Sequence, residues 1–379
     1  MDFNWDNEQR TFRATVREFL AAHLPKDWES LAHGPGTEWQ GEFSKQFCGQ
    51  LAAAGLLVPH WPTRWGGREA DPWTAFILAE EMWEAGEPRG GQYMNVNWIG
   101  PTLMRFGTEA QQQTYIPPIA RGATIWCQGF SEPEAGSDLA SLRTRAEQHG
   151  DARYRINGQK IWTSYASQAD TCFLMARTSP GKSGMSVFLV PMNTPGIIVR
   201  SIPSVIGEGD IHEVFFDNVE VPSSAMLGAE GQAWEIARAA LSMERVGIPR
   251  FAFATRMLNR AVGRLQRSKR FGQGAVEQAA RARAACDAAR LYSYSIIDKR
   301  RHGLTIGAEA NAARVATVMA ERSVAEFVVE FVPEALSGGD PMLLAHHQRA
   351  IVAGIASGAA EIQLNLIATE LLNLPREPR

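Results

Sequence analysis

The stretch Gln128-Gly-Phe-Ser-Glu-Pro-Glu-Ala-Gly-Ser-Asp138 follows the apolar Ile125-Trp126-Cys127 and concentrates groups able to hold a ligand. Pro133 fixes its own φ and removes one backbone donor, while Gly136 lets the backbone come close to whatever is bound. Gly136-Ser137-Asp138 adds consecutive N–H groups and a hydroxyl, a cradle suited to an anionic or carbonyl-rich ligand. Clusters of this composition also make ordinary turns. A second stretch, Asn157-Gly-Gln-Lys-Ile-Trp-Thr-Ser164, puts an indole at Trp162 and a hydroxyl at Ser164 on a strand behind a tight-turn dipeptide. The third feature is a carboxylate. Trp234, Ala237, Leu241, Glu244 and Ile248 recur at i, i+3, i+7, i+10 and i+14, so Glu244 interrupts an apolar helical stripe. A carboxylate there is either paired, with Arg245, Arg250 or an arginine elsewhere in the bundle, or used. Partial burial raises its pKa toward neutrality, which suits a general base.

The elements that must position these groups follow from periodicity. Residues 1–119 read as helices. Phe12, Val16, Phe19 and Leu20 make an amphipathic first helix ending before Pro25, and Phe43, Phe47, Leu51 and Ala54 repeat the pattern up to Gly55. Asp71 is a natural N-cap with Pro72 at the first helical position, and Gly100-Pro101 is expected to break a later segment. Residues 120–227 change period. Asn157-Gly158 predicts a two-residue hairpin, and strand-like runs follow at Thr171–Ala176, Met185–Val190, Gly196–Ile202 and Glu213–Val221. They predict a small antiparallel barrel or sandwich. Residues 228–379 return to helical periodicity, with long segments at Ala233–Leu265, Ala275–Gly303, Ile306–Ser337 and Leu343–Leu374, a four-helix bundle. The fold class is α+β.

Composition bounds the function. A chain of 379 residues exceeds one comfortable core. With 38 basic and 41 acidic residues the net charge is −3, which gives no electrostatic case for nucleic acid or an anionic membrane. Cys48, Cys127, Cys172 and Cys286 lie far apart without metal-ligand spacing, consistent with free thiols in a reducing compartment and no metal site. The N-terminus lacks an apolar signal core, and no apolar run reaches the roughly 18 residues of a membrane span. The small-residue run 350–360 reads as a tightly packed helix, and the protein as cytoplasmic.

Taken together, these motifs resemble the acyl-CoA dehydrogenase flavoproteins along almost the whole chain. Ser131-Glu-Pro-Glu-Ala-Gly-Ser-Asp138 and Asn157-Gly-Gln-Lys-Ile-Trp162 carry the likeness. Val214-Phe-Phe-Asp-Asn-Val-Glu-Val-Pro222, Glu244-Arg245, Phe271-Gly272 and Glu361-Ile-Gln363 add to it in the same order. The resemblance implies one FAD between the β domain and the bundle, an acyl-CoA substrate, and an electron-transfer flavoprotein as acceptor. It implies that Gln128, Phe130 and Ser131 line the isoalloxazine, that Trp162 covers its outer face and that Ser164 lies near N5. Ser137 would meet the flavin phosphates and the thioester arm, Arg245 the substrate, and Glu361 the cofactor. The family places its base either in the last helix, where this chain has Ser357, or at the Glu of a Glu-Arg pair, which is Glu244 here. Glu244 is therefore the expected base.

Several positions depart from the family pattern. Where an arginine grips a neighbouring subunit's FAD pyrophosphate, this chain has Ser268, with Arg267 displaced by one. Ala279 stands in place of a glutamine, with Gln278 one position short. Ser337-Gly-Gly-Asp-Pro341 replaces the glycine-rich segment that receives the adenosine end, and Ala359 replaces a threonine. An arginine–pyrophosphate contact is bidentate and charge-assisted, so losing it matters. The departures fall on contacts that one subunit lends another. They imply an α2β2 assembly with a paralogous chain, as in members acting on bulky steroid-like thioesters. Gly86, Gly90 and Gly91 are compatible with a wide acyl cavity. The rivals are an ordinary homotetramer, an oxidase-like homomer and a non-catalytic scaffolding subunit.

Overall fold

The computed structural model describes residues 5–32, 38–150, 152–181, 183–206, 211–244, 248–356 and 358–375. The chain forms two compact units, each assembled from separated stretches: Met1–Gly34, Arg68–Pro88 and Glu244–Arg379 in one, Pro35–Gly67 and Arg89–Met243 in the other.

The second unit holds all the strands described: β1 Trp126–Gly129, β2 Arg145–Gln148, β3 Arg153–Ser164, β4 Thr171–Arg177, β5 Met185–Pro191, β6 Ile197–Ser201, β7 Ile211–Pro222 and β8 Met226–Leu227. They join in the order β6-β7-β3-β2-β4-β5-β8, with β1 paired to β4. Most pairs are antiparallel, as the short connections require, but β1 and β2 each run parallel to β4. The sheet is thus mixed rather than purely antiparallel. Ile156, Leu174, Phe188, Val190, Val214 and Val221 are among the buried residues of its core. In the same unit a π-helical turn, Asn95–Ile99, runs straight into the helix Gly100–Phe106. Pro101 lies inside this continuous helical run, directly after the π turn, and Val96 O accepts from Trp61 Nε1 at 3.2 Å, so Gly100-Pro101 does not break the chain as expected.

Asn157-Gly158 is also not a hairpin turn. Strand β3 runs unbroken through it, and the reversal lies one step earlier, between β2 and β3, with Gly150 at φ 68°. Asn157 instead uses its side-chain Oδ1 to accept from Asn218 N (2.8 Å) on β7, where an extra residue makes a bulge. Gly158 is needed for close approach: a Cβ there would come within 2.5 Å of Thr144 Oγ1 and 2.7 Å of Thr144 Cα. Gly158→Ala is therefore expected to cost about 1–3 kcal/mol, read as a lower denaturation midpoint at unchanged slope.

The first unit is helical. Helix Asn7–His23 opens on a capping box formed by Asp6 and Gln9, and buries Phe12, Val16, Phe19 and Leu20, the residues its periodicity marks. Helix Pro72–Glu84 begins at Asp71, whose carboxylate accepts from Thr74 N at 3.0 Å. Its Glu80 is buried beside Arg13 and accepts from Tyr294 Oη at 2.8 Å; burial pushes the carboxyl up against both partners. The remaining long helices are Phe251–Arg267, Gln273–Arg301 and Glu309–Phe331, followed by Pro341–Val352 and Ala360–Leu366.

Two of the expected bundle segments are split. The first ends its helix at Glu244 and resumes at Phe251, past Pro249, so Ile248 does not continue the stripe on the same helix. The run 350–360 is a break rather than a packed helix. Gly354 and Gly358 have φ 87° and 88°, and the freed carbonyls of Ala353 and Ala356 accept from Arg322 (2.7 Å) and Arg314 (3.1 Å).

His346 is fully buried, lies against Phe253, and neither ring nitrogen is hydrogen-bonded. Burial, with His347 and Arg349 nearby, lowers its pKa to about 3. Between about 6.5 and that value the unfolded chain holds a proton that the folded chain does not, so stability falls as pH drops through this window. Urea midpoints should fall between pH 7 and 4.5 by the equivalent of about 2 kcal/mol, and His346→Met should flatten the slope.

Candidate functional site

The two ligand-holding motifs meet in the sheet of the second unit. Strand β1 carries Gln128, half-buried, whose Oε1 accepts from Trp98 Nε1 at 3.1 Å. The chain then leaves the sheet at Phe130, which is buried against Phe173 with ring centroids 5.8 Å apart. Beyond it, Glu132 and Ala135 close a tight turn by reciprocal backbone bonds of 2.8 and 3.0 Å. Ser131 is half-buried, and its carbonyl accepts from Ile161 N at 3.0 Å. One layer down, Lys160 donates from Nζ to Phe130 O (3.0 Å) and to Glu132 Oε1 (2.7 Å). Phe130, Ser131 and the β3 segment bearing Trp162 are thereby held as one piece.

Trp162 sits on a β-bulge. Lys160 pairs with Val214 and Thr163 with His212, so Ile161 and Trp162 together oppose a single residue of β7. Trp162 adopts φ 59°, a conformation costly for a bulky side chain, and its indole is 57% exposed. The extra residue turns an aromatic ring out of a strand whose alternation would otherwise place it differently. Ser164, half-buried, ends the strand, and His212 Nδ1 lies 3.1 Å from Thr163 O, bracing the bulge.

Further along, Gly136 and Ser137 are exposed. No atom lies within 4 Å of the place a Cβ on Gly136 would occupy, and its φ is not positive, so the chain's own packing does not require glycine there. A Cβ on Gly91 would come within 2.9 Å of Tyr165 Cγ, so Gly91 serves close packing, while Gly90 stands at φ 51°, a conformation that favours glycine.

Glu244 is the last residue of helix Ala233–Glu244, but its side chain, Arg245 and Ser357 lie outside the described residues. Glu361 is exposed in the first turn of Ala360–Leu366. Ser268 is used locally: its Oγ donates to Leu265 O (3.1 Å) and accepts from Arg270 Nε (3.2 Å), and Arg270 pairs with Glu334. Ala279 is buried in the helical core. Asp340 N-caps Pro341–Val352 and takes Arg260 Nε at 2.6 Å and Arg264 Nη1 at 3.4 Å. These arginines are already matched by the chain's own carboxylate.

The residues present fit a flavin ring. An exposed indole on a strained bulge could give such a cofactor a flat cover, the hydroxyls of Ser131 and Ser164 could donate to its ring edge, and the exposed Gly136-Ser137 could meet its phosphates. Among the described residues no cluster of three or more His, Cys, Asp or Glu side chains could hold a metal, and no helix is long and apolar enough to cross a membrane. Sequence reasoning missed Glu132 and Lys160. Their signal was legible: Lys160 shares the inward face of β3 with Ile156, where the alternation calls for an apolar side chain.

Family models match along the chain: acyl-CoA dehydrogenase N-terminal domain at residues 6–123, middle domain at 127–219 and C-terminal domain at 231–372. The acyl-CoA dehydrogenase IpdE1 of Mycolicibacterium smegmatis is 33% identical, over 98% of this chain and 99% of that protein. Among solved structures, the Tcur3481-Tcur3483 steroid ACAD superposes with TM-score 0.91 at 29% identity, covering 100% of both chains. The ChsE4-ChsE5 complex from Mycobacterium tuberculosis superposes with TM-score 0.89 at 26% identity, covering 99% of this chain and 100% of that one.

Proposed function

The chain belongs to the acyl-CoA dehydrogenase family, an oxidoreductase family acting on acyl-CoA, and from that premise we propose how its residues perform the α,β-dehydrogenation. The substrate is an acyl-CoA thioester and the product its trans-2-enoyl-CoA. Glu244 takes the proton from the substrate Cα, a step made feasible by hydrogen bonds that polarise the thioester carbonyl. When bound, FAD supplies the two-electron acceptor for the β-hydrogen. Trp162 would cover one face of the ring and keep water from it. Ser131 and Ser164 would offer hydroxyls to the ring edge, Phe130 and Gln128 would line it, and Ser137 would meet the phosphates and the thioester arm. Arg245 contributes to substrate binding and Glu361 to the cofactor's far end.

The observation that carries this reading is the exposed, left-handed Trp162 held to Ser131 through adjoining backbone. A bulky residue at positive φ is strained, and such strain clusters at ligand sites. The chain is further proposed to work with a paralogous subunit in an α2β2 complex. The local use of Ser268 and the burial of Ala279 support this, since neither reaches out as a cofactor contact. The two heteromeric structures named above support it too, and the steroid ACAD among them makes a bulky, steroid-like acyl chain the leading substrate class. A cytoplasmic enzyme passing electrons to an electron-transfer flavoprotein completes the proposal. Incubating the flavin-loaded protein with steroid-side-chain and fatty acyl-CoA thioesters and an artificial acceptor tests it. The expected product is lighter by two hydrogens, without peroxide release. Acceptor-independent peroxide formation would favour the oxidase reading instead.

A further inference from the structure

Beneath the two motifs lies a buried ion pair that touches no ligand-facing surface. Lys160 is 0% exposed and Glu132 7%. The Lys160 ammonium is 2.7 Å from Glu132 Oε1 and 3.0 Å from Phe130 O. The carboxylate in turn accepts from Arg143 N at 2.5 Å and Thr144 N at 2.9 Å. The lysine stem passes Gly129, where a Cβ would stand 3.4 Å from Lys160 Cγ and 2.9 Å from Cys172 Sγ. Burial lowers the lysine to about 8, Glu132 opposing the shift; burial also pushes Glu132 up, but Lys160 and the backbone donors outweigh it and hold the carboxyl low.

We propose that Lys160 and Glu132 are positioning residues for the flavin site: they set the disposition of Ser131 relative to Trp162, and cofactor affinity depends on it. A buried ion pair seldom stabilises a fold better than apolar residues of the same volume, so stability alone does not account for this one. Geometry does. Lys160 grips the carbonyl of Phe130, the next N–H along β3, from Ile161, grips the carbonyl of Ser131, and the following residue is the bulged Trp162. Glu132 carries the same restraint to the start of β2 through Arg143 and Thr144. Both side chains act through others, because neither is exposed enough to meet a cofactor.

This inference rests on the proposed flavin site, and its test separates the two. FAD is titrated against wild type, Lys160→Met, Glu132→Gln and the double variant, each with a co-expressed partner if FAD retention requires one. Affinity is read from quenching of flavin fluorescence, folding from far-UV circular dichroism, and stability from thermal midpoints. Lys160→Met leaves an unpaired buried carboxylate and should lose stability and at least roughly 10-fold in FAD affinity. The double variant carries no buried charge, but its amide offers one acceptor oxygen for two N–H groups that bond separate carboxylate oxygens, so its thermal midpoint should recover only part of the loss. Its FAD affinity should stay at least roughly 10-fold weak, with an altered circular dichroism of the bound flavin. If Lys160→Met folds poorly, the double variant and a titration at low temperature carry the comparison. A wild-type dissociation constant in any folded variant lacking the ammonium group overturns the positioning role. Failure of wild type itself to bind FAD, alone or with a partner, overturns the flavin site and this inference with it.

Discussion

Glu244→Gln is expected to lower kcat roughly 10³-fold while FAD content and thioester binding stay near wild type. The substitution keeps size and polarity and removes only the capacity to accept a proton. A base that acts in the transition state contributes to kcat rather than to ground-state affinity, so kcat should fall with little change in substrate dissociation constant. Glu244 heads the Glu244-Arg245 pair. Ser357, at the family's other place for a base, cannot replace it, because a serine hydroxyl is too weak a base for an α-proton. Full activity in Glu244→Gln with FAD retained would remove Glu244 from the mechanism.

Trp162→Ala should separate stability from cofactor binding. The indole is 57% exposed, so its removal costs little buried surface, and the thermal midpoint without FAD should change by less than about 0.5 kcal/mol equivalent. Stacking of an aromatic on a flat ligand is worth about 0.5–1.5 kcal/mol beyond area burial, so FAD affinity should weaken on the order of 10-fold. An indole that merely filled the sheet core would give the opposite pattern: lost stability and unchanged affinity. The pattern also distinguishes Trp162 from Lys160, whose single substitution should damage both.

Much of this was legible in the residues. The first helix, the Asp71 cap and the strands β4, β5 and β7 follow from periodicity and capping chemistry, because their signals are local. Asn157-Gly158 misled because a dipeptide that suits a turn can also run straight through a strand, here with Asn157 capping a bulge of the partner strand β7 and Gly158 clearing Thr144. The run 350–360 misled because small residues favour close packing, while two glycines at positive φ end a helix. In the site, Trp162 and Ser131 could be named from their motifs. The ion pair of Lys160 and Glu132 joins residues far apart in the chain, and its geometry had to be seen. Gly91 shows the converse: it suggests space in the sequence and provides close contact in the fold.

This chain is proposed to hold a flavin ring without all the contacts needed to retain FAD alone. The FAD content of the chain purified alone and after co-expression with a paralogous subunit tests this most directly. A colourless single chain is expected, and a yellow complex of both chains that turns over acyl-CoA. Stoichiometric FAD and full activity in the single chain would contradict it, and would make an ordinary homotetrameric dehydrogenase the correct description.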